Sequence, residues 1–162
     1  MYKYALCFIK KGSKLLMLNR DSAPTKGLWN GVGGKIEGNE SPTECVIRES
    51  FEETGIVLEN VAYKGVISWI ADASYSGGMY VFIAVIPDDY QYITPKKVDE
   101  GILDWKDIEW ILSEGNLGVG EMIPQFLPKV LSSAECFEHK CILENNKLIY
   151  YDAVRLRQIE TI

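Results

Sequence analysis

Between Ser41 and Gly55 the chain carries the signals for both ends of one helix. Ser41 is a helix-capping residue, Pro42 suits the first helical position, and Glu44 stands three residues after the cap, so cap and glutamate can each satisfy a free N–H of the first turn. Gly55 supplies the left-handed residue on which such helices stop. On this helix Glu49, Glu52 and Glu53 stand at i, i+3 and i+4 and share one face. Ile47, Ser50, Phe51 and Thr54 are expected on the opposite, core-facing side. Each like-charge pair at this spacing costs an isolated helix roughly 0.2–0.5 kcal/mol, so the acidic face calls for a positive partner. A solvated surface is the ordinary reason for such a run. Here Gly31, Gly33 and Gly34 lie just before it, and glycine lets the backbone come close to an anion or a metal. Carboxylate oxygens are hard ligands suited to Mg²⁺ or Mn²⁺.

The rest of the chain must pack around that helix. Tyr4 to Lys10 and Lys14 to Arg20 read as a hairpin of two strands, followed by a loop at "DSAPTKG". "VAYKGVISWI" and "MYVFIAVI" read as a second pair joined by "DASYSGG". A strand is expected near Leu103 to Trp105, before a turn at "KDIEW". "MIPQFLPKVL" reads as a shorter helix, which Pro128 should bend by removing one backbone bond. "ECFEHKCIL" and "KLIYYDAVRL" form a closing hairpin, with Asn145 and Asn146 suited to positive φ. Strands and helices interleave without a regular βαβ repeat, which favours an α+β sandwich with a mixed sheet over a Rossmann array.

Composition sets limits. A chain of 162 residues, 47% of them hydrophobic, suits one domain over residues 1–162. The opening "MYKYALCFIK" is too short and too lysine-interrupted for a signal peptide or a membrane span, so a cytoplasmic protein with no membrane contact is expected. Cys7, Cys45, Cys136 and Cys141 show neither C-x-x-C spacing nor a zinc-type histidine partner, and read as reduced, buried thiols. The net charge of −6 disfavours polymeric nucleic acid, which is bound by neutralising its phosphates with lysine and arginine. A small phosphorylated ligand would need a metal as intermediary, and no obligate protein partner is evident. His139, the one histidine, lies far from the acidic helix and is given no catalytic role.

The spacing from Gly34 through Glu40, Arg48-Glu49 and Glu52-Glu53 to Gly55-Ile56 resembles the Nudix box. Ser50 departs from it, standing at a core-side position where the family usually has an aliphatic residue. "LWNGVGGK" and the ending "LIYYDAVRLRQIETI" are similar to the MutT-type branch, which removes oxidised nucleotides. The resemblance implies a Nudix-like α/β/α sandwich and a site in which Glu49, Glu52, Glu53 and the Gly34 carbonyl hold metal, Mg²⁺ with Mn²⁺ as substitute. It implies that Arg48 orients a neighbouring glutamate and that Glu40 reaches the metal through water or supports the loop. Glu100, with Asp99 as its rival, corresponds to a glutamate brought in from across the sheet. Lys35 and Gly33 correspond to phosphate contacts, Asn30 to a purine-reading amide, Arg20 to a pocket-lining cation and Glu121 to an acid near the base. Asn30 also suits a turn before glycine, and the four tryptophans suit either core packing or stacking.

The implied reaction is hydrolysis of a nucleoside triphosphate, an oxidised purine nucleotide such as 8-oxo-dGTP, to nucleoside monophosphate and pyrophosphate. Cleaving a phosphoanhydride needs a positioned water and neutralisation of phosphate charge, tasks for metal and glutamate together. Glu49, Glu53 and Glu100 all stand as candidates for the proton acceptor. Two alternatives remain: a pyrophosphatase of ADP-ribose, a dinucleoside polyphosphate or another nucleoside diphosphate derivative, and a silent ligand-sensing module.

Overall fold

The computed structural model describes residues 1–157 and 162. The opening hairpin is β1 (Tyr4–Lys11) and β2 (Lys14–Arg20), followed by two short strands, β3 (Trp29–Asn30) and β4 (Val32–Lys35). Helix α1 (Pro42–Thr54) precedes β5 (Ala62–Ala71), β6 (Tyr75–Val85), β7 (Lys96–Val98) and β8 (Gly101–Asp107). Helices α2 (Ile108–Ile111) and α3 (Ile123–Ser132) lead to the closing hairpin, β9 (Phe137–Glu144) and β10 (Lys147–Arg155). The strands make one mixed sheet in the order β10-β9-β5-β6-β1-β2-β8-β7, with β4 on β1 and β3 on β2. The fold is α+β.

Alternation along β1 places Ala5, Cys7 and Ile9 in a core with Cys45 and Val46 of α1, and Leu6 and Phe8 in a second core with Phe126 and Leu127 of α3. The sheet is therefore a middle layer between two helical ones. His139 is fully buried, its Nδ1 2.8 Å from the Tyr151 hydroxyl, and all four cysteines are buried and unpaired. No helix among the described residues is long and apolar enough to cross a membrane.

One feature of the register shapes the site. β1 and β2 pair only over Ile9–Lys11 and Lys14–Leu16 and then separate. The freed edge of β1 (Tyr4–Cys7) takes β4, and the freed edge of β2 (Leu18–Asn19) takes β3. The glycine-rich stretch thus fills the gap between two diverging half-sheets.

The structure corrects several expectations. "WNGVGG" contributes the strands β3 and β4 because the parted hairpin offers two free edges, which no local pattern announces. "KDIEW" ends in the helical turn α2, and Lys96–Val98 adds a strand unforeseen from sequence. The turn between β5 and β6 is shorter than "DASYSGG": Asp72 and Ala73 take positive φ and β6 already begins at Tyr75. Pro128 lies in the middle of α3, where the backbone bond it forgoes is the one to the Pro124 carbonyl. Ser41 caps α1 through the expected box, Gly55 ends it at φ 79°, and Asn145 and Asn146 have the expected positive φ. The inward face of α1 differs from the one expected. Ser50 and Thr54 are buried beside Cys45 and Val46, but Phe51 is 54% exposed and Glu53 only 5%. The helix is rotated so that Val46, Ser50, Glu53 and Thr54 form the inner stripe.

Candidate active site

Glycine is what admits Glu49 and Glu53 to the sheet edge. A β-carbon on Gly34 would lie 2.4 Å from the Glu49 carboxyl, so that carboxyl occupies the space a side chain would fill. One residue earlier, the Gly33 amide donates to Glu53 Oε2 at 3.1 Å. Gly33 itself is pressed onto β1, where an added β-carbon would stand 2.1 Å from the Ala5 carbonyl oxygen. Burial pushes the Glu53 carboxyl up to about 7; the Gly33 amide opposes this, the charges of Glu49 and Glu100 add to it, and Arg20 opposes it again. Burial also raises Glu49, against the pull of Arg48.

Arg48 is the hub of the acidic face. Its Nε and Nη2 grip Glu40 at 3.0 and 2.6 Å, while Nη1 donates to Glu49 at 2.9 Å and to Glu52 at 3.2 Å. Nη2 also donates to the Lys35 carbonyl at 3.1 Å, tying the helix to the end of β4. The two-pronged bond to Arg48 holds Glu40 down to about 2, and Glu40 further accepts the Glu37 amide at 2.8 Å. This answers part of the charge question: one guanidinium offsets three like charges. Among the described residues no three carboxylate, histidine or cysteine side chains converge as a closed metal cage. Glu49 and Glu53 nevertheless offer hard oxygen donors side by side against a backbone with no intervening side chain, a donor set that fits an oxygen-seeking divalent ion.

Across the gap, Arg20 ends β2 with its buried Nε unpaired, close enough for its charge to act on Glu53. Glu100 acts on Glu53 as well and is half-buried, whereas Asp99 is exposed. The Asp21 amide donates to the Glu100 carbonyl at 3.0 Å, which holds the two loop ends together. The structure thus brings Gly33, Gly34, Arg48, Glu49, Glu52, Glu53, Arg20 and Glu100 to one edge. Lys35 contributes its carbonyl there, and its exposed side chain stands outside the network. The Gly34 carbonyl accepts the Cys45 thiol at 3.7 Å, a contact with no signal in the sequence. Asn30 pairs with Leu18, and its Oδ1 accepts the Gly31 amide at 2.8 Å. Glu121 is not part of this edge: its carboxylate is taken by the Leu148 amide of β10. A groove of about 770 Å³ lies beyond Tyr4 between the chain start and the ends of β5, β6 and β9. Tyr4, which lines it, pairs with Lys35, but none of Glu40, Glu49, Glu52, Glu53 and Glu100 lines it.

The family described as the NUDIX domain matches residues 3–126. An uncharacterized Nudix hydrolase, YvcI of Bacillus subtilis, is 34% identical over 103 residues, which is 63% of this chain and 63% of that protein's length. An ADP-ribose pyrophosphatase of Methanocaldococcus jannaschii is 38% identical over 60 residues, 37% of this chain and 36% of that one. Among solved structures, the MutT protein of Bacillus halodurans superposes with a TM-score of 0.78 at 25% identity, covering 94% of this chain and 97% of its own.

Proposed function

The chain belongs to the Nudix hydrolase family, and on that premise we propose that it hydrolyses nucleoside triphosphates, oxidised purine nucleotides among them, to nucleoside monophosphate and pyrophosphate, using Mg²⁺ or Mn²⁺. The observation that carries this reading is the seating of Glu49 and Glu53 against Gly33 and Gly34, with Arg20 and Glu100 facing them. The near end-to-end likeness to a MutT protein supports the choice of nucleotide.

Glu49, Glu53 and Glu52 would hold the ion, with the Gly34 carbonyl beside them. When bound, it supplies neutralising charge to the phosphate oxygens and acidifies water. Arg48 keeps Glu49 in place by bonding it and Glu40 together. Glu53, buried beside Glu49 and kept ionised when the ion is bound, is the carboxylate suited to accept the proton of the attacking water. Arg20 carries an unpaired buried N–H and a positive charge toward the phosphate chain. Lys35, exposed at the end of β4, adds a cation for the outer phosphates.

Asn30 reads the purine edge in this account. Its amide offers both a donor and an acceptor, and exchange of the Gly31 amide for a base would free its oxygen. Asn30→Ala is expected to lower kcat/KM for 8-oxo-dGTP about ten- to a hundredfold while affecting dGTP less. Steady-state kinetics on both nucleotides at fixed Mg²⁺ check this, and an unchanged ratio leaves Asn30 as the turn residue that caps Gly31.

A second reading, hydrolysis of ADP-ribose, is favoured by the ADP-ribose pyrophosphatase among the relatives and by the Nudix domain of Shewanella oneidensis NrtR, whose structure was solved with ADP ribose. It uses the same glutamates and differs in what lies beyond the phosphates. Turnover of ADP-ribose far above that of either nucleotide selects it.

A further inference from the structure

We propose that Lys106 is a positioning residue for substrate recognition, a cationic clamp that fixes the two-residue strand β3, and with it Asn30, against the loop after α2. The proposal rests on Asn30 being a substrate contact. Lys106 lies on β8 opposite Leu15, and its ammonium stands 4.3 Å from the ring centre of Trp29 and 5.3 Å from that of Trp110. Asp104 holds the same ammonium at 3.3 Å and is itself fixed by the Thr94 hydroxyl at 2.7 Å. One side chain therefore joins three segments that are otherwise weakly tied. Strand β3 pairs with β2 at only two positions, Leu18–Asn30 and Asn19–Trp29, too few for a ladder to fix its orientation alone.

The far side of β3 depends on the same clamp. The Trp29 amide donates to the Gly118 carbonyl at 2.8 Å, and Trp29 forms a bridge with Val119. The loop before that bridge is folded onto Trp110, whose carbonyl accepts the Ser113 hydroxyl at 2.6 Å and the Asn116 amide at 2.8 Å. A β-carbon on Gly118 would lie 3.1 Å from the Trp110 ring, so loop and ring are in contact. A partly desolvated ammonium between two indoles attracts both ring faces. Losing the charge releases Trp29 from Trp110 and lets β3 shift, which weakens binding of the organic end of the substrate without touching the glutamates.

The test compares Lys106→Met, which keeps the stem and loses the charge, with Lys106→Arg, which keeps a cation that stacks on indoles. Both are assayed on the nucleotide that the wild-type enzyme turns over best. Lys106→Met is expected to raise KM roughly five- to tenfold, with kcat and the Mg²⁺ dependence within about twofold of wild type. Lys106→Arg is expected to return KM to within about twofold of wild type. A Met variant with wild-type KM overturns the clamp, as does one in which kcat falls while KM rises and arginine restores neither. Should the wild-type enzyme prefer ADP-ribose to 8-oxo-dGTP, the nucleotide reading above fails on wild-type data alone. The KM comparison on ADP-ribose then still decides the role of Lys106.

Discussion

Glu53→Gln is expected to lower kcat roughly 10²–10⁴-fold and, in metal-free buffer, to make the protein more stable at pH 8. The two effects have one source. Glu53 is buried against Gly33, and burial lifts its carboxyl from 4.5 to about 7. A carboxyl raised in the folded state contributes stability that is fully present below its unfolded value and is lost as pH rises through the folded value. Between about pH 4.5 and 7 the metal-free wild type should therefore lose about 3 kcal/mol from this group. Glutamine keeps an oxygen for the Gly33 amide and has no charge to desolvate, so the variant should show a flatter profile. Denaturant melts of both proteins at pH 5 and pH 8 in chelator, beside kcat in saturating Mg²⁺, separate the effects. A variant less stable than wild type at pH 8 with near-normal kcat would make Glu53 a structural residue. Because the attacking water must give up a proton beside ionised carboxylates, wild-type turnover in Mg²⁺ should also rise toward alkaline pH.

Neighbouring glycines should fail in different ways. Gly34→Ala places a β-carbon 2.4 Å from the Glu49 carboxyl, the mobile end of a flexible side chain that can swing aside. The fold should survive and the carboxylate should not stay in place, costing about a hundredfold in kcat, as expected for a misplacement of about 1 Å. Gly33→Ala drives its β-carbon to 2.1 Å from a backbone oxygen of β1, which cannot move without opening the β1–β4 pairing. Lost stability, seen as a lower Tm, should accompany that variant. Equal Tm losses in the two, or normal kcat in Gly34→Ala, would remove Glu49 from the site.

What the sequence disclosed and what it withheld divide along a physical line. The ends of α1 were legible because capping is local: Ser41, Glu44 and Gly55 act within one turn. The acidic trio was legible because helical spacing fixes a shared face. The inward rotation that buries Glu53 and exposes Phe51 was not, since it depends on the Gly33 amide and the open space at Gly34, set by strands distant in sequence. The same holds for β3 and β4, which exist because β1 and β2 separate after three paired residues. Arg48, expected to orient one neighbouring glutamate, meets three. The neighbouring glutamates call for a positive ion, yet the guanidinium already meets Glu40, Glu49 and Glu52, so their proximity alone argues less for a metal than their spacing does. The ending of the chain, part of the MutT-type resemblance, includes residues 158–161, which lie outside the described residues.

The most direct measurement is product identification from a nucleotide panel containing 8-oxo-dGTP, dGTP and ADP-ribose, run in Mg²⁺ and again in excess chelator. The account predicts 8-oxo-dGMP and pyrophosphate as the products of the fastest reaction, and none in chelator. Orthophosphate in place of pyrophosphate, or turnover that survives chelation, would contradict it.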